Sequence, residues 1–221
     1  MSLIGRAVKE TVRALRRGKA HVATNLPDLA ELAHRLSDGR ALLEPLYREY
    51  VRRVSPPEWA VSIETACVLH ALCLMVRPRT ILDLGSGFSS VTFRHYSRAY
   101  ATDCVVHSVD DNARWLDRTR RFLESLDLST EGLIEWPEFR QTMSHYQLIF
   151  HDLGDMSLRA ESLEYVMELR AEAGWVILDD MHKSKYAPVA EKVCAAAGLR
   201  LVSLQDLTLD RYGRFACLLT D

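Results

Sequence analysis

ILDLGSGFSS, residues Ile81–Ser90, is the stretch that decides the fold. An apolar run, Thr80–Leu84, is interrupted only by Asp83, then meets Gly85 and Gly87, and a segment of helical spacing follows over Ser89–Tyr96. A strand that turns through glycine into a helix lets a ligand approach backbone N–H groups where a side chain would otherwise block it. Two glycines alone fit equally well a tight strand-to-helix turn of the kind any α/β fold needs. Asp83 separates the two readings. A carboxylate at the end of a buried apolar strand is costly unless it binds something, and there it would face the crevice at the strand's C-terminal edge.

Working outward, short aliphatic runs alternate with longer segments of 3.6-residue period. A largely apolar helix, Trp59–Val76, leads up to Arg77-Pro78. After the glycine turn come the runs Val105–Val109, Leu133–Trp136, Gln147–His151 and Trp175–Leu178, and the helical segments Asn112–Leu126, Ser157–Ala173 and Tyr186–Ala197. This alternation predicts an α/β fold of βαβ units around a mostly parallel, doubly wound sheet. Two last runs, Leu199–Leu204 and Arg214–Leu219, have no helical segment between them and predict an antiparallel C-terminal hairpin.

Before residue 56 the pattern is helical throughout. Ile4, Val8, Val12 and Leu15 make one face of an amphipathic helix over 3–17. Pro27 suits the first turn of a second helix through Leu36, Asp38-Gly39 breaks the chain, and 40–53 forms a third. Ser55-Pro56-Pro57 reads as a linker, since neither proline can donate a backbone hydrogen bond. It divides an N-terminal helical extension or lid, 1–55, from a domain over 56–221.

The 28 Lys and Arg against 30 Asp and Glu give a net charge of −2, which argues against a general nucleic-acid binder. That figure averages unlike parts. Residues 1–20 hold six basic residues against Glu10 alone, a balance of +5, which leaves −7 for the rest. The basic arm is expected to contact a second subunit, as in a homodimer, or a membrane surface. Five cysteines, none in a CxxC pair, read as reduced thiols. With no apolar run of about 18 residues and no continuous apolar core in residues 1–20, the expected compartment is the cytoplasm.

Asp110 ends the run VVHSVD, 27 residues after Asp83. An acid at the tip of the second strand is placed to accept the hydroxyls of a ribose. Asp111 is expected to cap the following helix and stands beside Asp110 as a further cofactor candidate. Together with the glycine turn, these residues resemble the first motifs of class I S-adenosylmethionine-dependent methyltransferases. The closing hairpin is similar to the reversed last strand of that family's Rossmann-like, seven-stranded sheet. The resemblance covers residues 59–221 and implies that Gly85, Ser86 and Gly87 line the methionine part of the cofactor, with Asp83 near its amino group. Where the family often has a third glycine, this chain has Ser89. The resemblance also places an adenine-edging aromatic after the third strand, here Trp136, and core packing explains that residue as readily.

YQLIFHD ends one strand with Asp152, and GWVILDDMHK ends the next with Asp179 and Asp180. Three carboxylates at adjacent strand tips suit Mg²⁺ or another hard cation. The arrangement resembles metal-dependent O-methyltransferases of the catechol and macrolide-sugar type. The alternative is that Asp152 and Asp179 cap helices or contact substrate without metal. His182 is the expected general base, with Asp152 as the second catalytic candidate. His151 competes; because it alternates with Asp152, one of the two faces the crevice and the other the fold. The leading expectation is methyl transfer from S-adenosylmethionine to a hydroxyl of a small molecule such as a sugar, phenol or natural product. A nicotinamide-dependent oxidoreductase shares the Gly-x-Gly and distant acid, but calls for a third glycine and leaves the Asp179-Asp180 pair unexplained. A non-catalytic binding protein that docks a partner or membrane through the N-terminal helix is the remaining alternative.

Overall fold

A computed structural model describes residues 29–139 and 145–220. The helix expected over 3–17 and the turn at Pro27 lie outside them. The chain runs α1 (Leu29–Arg53), α2 (Ile63–Val76), β1 (Thr80–Leu84), α3 (Phe88–Tyr100), β2 (Val105–Asp110), α4 (Ala113–Ser125), β3 (Leu133–Glu135), α5 (Trp136–Phe139), β4 (Tyr146–His151), α6 (Met156–Glu168), β5 (Arg170–Leu178), α7 (Ala187–Ala196), β6 (Arg200–Ser203), α8 (Gln205–Thr208) and β7 (Cys217–Thr220). The seven strands form one sheet in the order β3-β2-β1-β4-β5-β7-β6. The first five are parallel, and β7 lies antiparallel between β5 and β6. The antiparallel hairpin is as expected, with the short helix α8 in its connection.

Residue alternation along the buried strands builds two core layers. Ile81 on β1, with Leu148 and Phe150 on β4, joins Val68, Leu69, Phe88 and Phe93 on the face covered by α2 and α3. Leu82, Leu84 and Ile149 pack with Leu163 and Val166 on the face covered by α6 and α7. The same alternation turns Asp83 towards α3 and His151 towards α6. Helix α2 starts at the Ser62 N-cap, whose Oγ accepts from the Thr65 amide (3.0 Å), rather than at Trp59. It is apolar all round because α1 covers its outer side.

The break expected at Asp38-Gly39 is absent, and α1 is continuous across it. A Cβ on Gly39 would stand 3.4 Å from His70 Nδ1, an ordinary contact, so the packing of α1 on α2 does not itself require glycine there. Burial of the apolar face of α1 outweighs the cost of about 1 kcal/mol for glycine in a helix. Leu32, Leu43 and Tyr50 of α1 are buried in the same cluster as Val68 and Phe88. All five cysteines are buried with free thiols. Among the described residues no helix is long and apolar enough to cross a membrane.

Candidate active site

From β1 the chain fills one side of the sheet with β2 and β3, then returns to place β4 on the other side of β1. Ligands bind at such reversals, beyond the carboxyl ends of the strands. A cavity of about 440 Å³ opens there, walled by Gly85, Ser86, Asp110, Asp111, Trp115, Asp152, Asp179, Asp180, Lys183 and Arg214, with Trp59 and Glu58 at its rim.

Gly85 is required by its surroundings. Its φ is +96°, and a Cβ would lie 2.3 Å from the Asp152 carbonyl oxygen. Its amide donates to Val109 O (2.8 Å), which ties the turn to β2. Asp110 then grips the next residue: its Oδ2 accepts from the Ser86 amide (2.8 Å) and the Ser86 hydroxyl (2.9 Å), and its Oδ1 from the Asn112 amide (2.9 Å). A carboxylate has about four acceptor positions, so these three leave one for a ligand hydroxyl, where two were expected. Burial pushes Asp110 up to about 6, against the pull of these hydrogen bonds. Asp111 lines the cavity beside it and is not the helix cap. Asn112 caps α4, its side chain accepting from the amides of Arg114 and Trp115.

Three expected cofactor residues stand behind the cavity wall. Asp83 is fully buried, and its Oδ2 accepts from Ser90 Oγ (2.5 Å) and Ser108 Oγ (2.8 Å). Arg94 donates to the same Ser108 hydroxyl (2.7 Å). The acid that looked costly is therefore absorbed by a polar network that fastens β1 to β2 and α3. Gly87 makes room for a side chain: a Cβ there would meet the Tyr50 hydroxyl at 3.1 Å. Ser89, at the third-glycine position, is buried in the first turn of α3, its Oγ directed at Gly85 O (3.5 Å). Trp136 is buried in the core, stacked on Phe139 and edge-on to Tyr165. The aromatic wall comes from Trp115 instead, whose Nε1 donates to Ser86 O (2.7 Å).

The three strand-tip acids do converge, around a cation the chain supplies itself. Arg159, in the first turn of α6 and only 4% exposed, places Nη2 2.6 Å from Asp152 Oδ1 and Nη1 3.0 Å from Asp180 Oδ2. Asp179 Oδ1 accepts from the Asp180 amide (2.8 Å), and Asp180 holds a left-handed φ of +57°. Burial, then the charge of Asp180, pushes Asp179 up to about 6. The expected Mg²⁺ does not fit this donor set, because the space between Asp152 and Asp180 is taken by a guanidinium bonded to both. Among the described residues, no group of three or more His, Cys, Asp or Glu is arranged to hold a metal ion.

His182, the expected base, sits beside Asp180, its Nδ1 3.5 Å from Asp180 Oδ1, and is outside the cavity wall. His151 faces the fold, as alternation with Asp152 allows. It is fully buried between the Tyr186 hydroxyl and Ser162 Oγ, both at 3.0 Å, and burial lowers its pKa to about 3. Sequence reasoning missed Arg159, Trp115 and Arg214, because arginines and tryptophans on helix faces and loops carry no spacing signal. Arg159 follows Asp152 by seven residues, and a lone basic residue in an apolar helical turn was the one available hint.

No protein-family model matches the chain, and no curated protein sequence does. Solved structures do match. They include the S-adenosylhomocysteine-bound methyltransferase PaMTH1 of Podospora anserina (13% identity, 96% of this chain and 94% of that chain, TM-score 0.57). The O-methyltransferase TomG of Streptomyces achromogenes in complex with S-adenosylmethionine also matches (15%, 100% and 98%, 0.54). So does an O-methyltransferase of Bacillus cereus with S-adenosylhomocysteine (16%, 99% and 99%, 0.55). The chain thus has the fold of class I S-adenosylmethionine-dependent methyltransferases, with the seven-stranded, mostly parallel sheet and reversed last strand expected of it. At these identities the likeness is one of fold.

Proposed function

We propose that the chain is an S-adenosylmethionine-dependent methyltransferase that acts on a hydroxyl of a small molecule. The observation that carries this reading is the cavity at the β1/β4 reversal, where Gly85 admits no side chain and Asp110 both fixes Ser86 and keeps one acceptor position for a ribose hydroxyl. Structural neighbours with the same fold bind S-adenosylmethionine or its demethylated product, which supports the same cofactor here. Bound there, the cofactor supplies an electrophilic methyl group.

The chain's own part is to bind, orient and hold a proton. Gly85, Ser86, Asp110, Asp111 and Trp115 form the cofactor side of the cavity. Trp59, Lys183 and Arg214 line the same cavity, and we assign them to the acceptor. Asp179, with a pKa near 6, replaces His182 as the group suited to take the acceptor's proton near neutral pH. Orientation of the acceptor supplies most of the rate. A thermal-shift screen of S-adenosylmethionine, S-adenosylhomocysteine and NAD tests the reading: the first two should raise the melting temperature and NAD should not. A shift with NAD alone would replace the reading with the oxidoreductase alternative.

A further inference from the structure

We propose that Arg159 is the permanent cation of this site and stands where a divalent ion would otherwise bind, so that the strand-tip carboxylates are organised without metal. The inference rests on the methyltransferase reading only for what the site is used for; the cation's place is set by the side chains themselves.

The guanidinium reaches both strand ends at once. Nε donates to Leu153 O (3.3 Å), Nη2 to Asp152 O (3.0 Å) and Gly154 O (3.3 Å), and Nη1 to Asp180 Oδ2 (3.0 Å). Nη2 also pairs with Asp152 Oδ1 at 2.6 Å, and the group lies over the Tyr186 ring, 5.9 Å from its centroid. One planar fork therefore fixes the loop after β4 and the loop after β5 relative to each other. A lysine, with a single point charge, cannot span those positions. A hard divalent ion needs six or more oxygens at 2.0–2.6 Å, and here two of the carboxylates already point an oxygen at arginine nitrogens. An added ion would have to displace the guanidinium or sit against its charge.

Removing the arginine takes away the cation that joins Asp152 and Asp180, with Asp179 beside them, and frees these side chains to turn from their present arrangement towards an added ion. Titration of Mn²⁺, followed by calorimetry and by the paramagnetic resonance of the free ion, tests this on the full chain. The wild-type protein should show no saturable Mn²⁺ binding, and EDTA should leave both its melting temperature and its affinity for S-adenosylmethionine unchanged. Arg159→Ala should gain one Mn²⁺ site and a rise in melting temperature with Mn²⁺, and the double variant with Asp180→Asn should lose it again. Stoichiometric Mn²⁺ binding by the wild type, abolished by Asp180→Asn, would overturn the proposal, as would a folded Arg159→Ala protein that binds no Mn²⁺. If Arg159→Ala does not fold, the wild-type titration and its Asp180→Asn control decide alone. Failure to bind S-adenosylmethionine with these metal results intact would sink the methyltransferase reading and leave the place of Arg159 standing.

Discussion

Gly85 and Asp110 act on the same turn by different means, and substitution should separate them. At Gly85 the next strand's loop passes so close that a methyl group would overlap the Asp152 carbonyl, in a backbone conformation that L residues avoid. Gly85→Ala should therefore cost roughly 2 kcal/mol or more in urea denaturation, along with the cofactor site. Asp110 is a buried acid whose pKa is raised from 3.8 to about 6. Its contribution to stability is fully present below the unfolded value and is lost as pH rises through the folded one. His151 and His70, lowered to about 3 and about 4 by burial, shift in the opposite sense, so the total pH profile conceals the effect. The difference between wild type and Asp110→Asn isolates it: the variant should gain on the wild type between pH ~4 and ~6, by on the order of 3 kcal/mol. Parallel unfolding curves at the two ends of that window would show that Asp110 is not strained by burial.

At the scale of elements, Arg214 ties the 56–61 segment to the loop before β7. It donates to Pro57 O (3.0 Å), Glu58 O (2.9 Å) and Ala60 O (3.0 Å), while Asp210 pairs with it at 2.7 Å. Trp59 is thereby held at the cavity rim, 76% exposed. Arg214→Ala should speed amide exchange across 56–61 and cost roughly 2 kcal/mol. Asn112→Ala should remove the α4 cap for about 1 kcal/mol, measured by thermal or urea unfolding. How far such elements were legible depended on what fixes them. Strand β1 is an apolar run between breakers, and the expected bounds match the observed Thr80–Leu84. Strand β5 begins at Arg170, well before the apolar run Trp175–Leu178, because Arg170 pairs with Tyr146 ahead of a register shift that composition does not encode. Asp38-Gly39 reads as a break because helix propensity is local, whereas the burial of Leu32, Leu43 and Tyr50 that keeps α1 continuous comes from elements distant in sequence.

Across the whole molecule, topology explains why part of the site was readable. Strand tips collect acids by a rule of position, so Asp110, Asp152, Asp179 and Asp180 were found from the ends of apolar runs, and all four line the cavity. What neutralises them was not readable, since nothing in the spacing of α6 shows that Arg159 turns back to the strand tips. Asp83 and Gly87 had the right local pattern, but their partners Ser108 and Tyr50 come from elements distant in sequence. The central claim is that the cavity at the sheet's reversal binds S-adenosylmethionine through Asp110. Calorimetric titration of S-adenosylmethionine into the wild type and Asp110→Ala, with the fold of the variant checked by circular dichroism, tests it most directly. One-site binding to the wild type and none to the folded variant is the predicted result; no binding to the wild type, or equal affinity in the two, would contradict it.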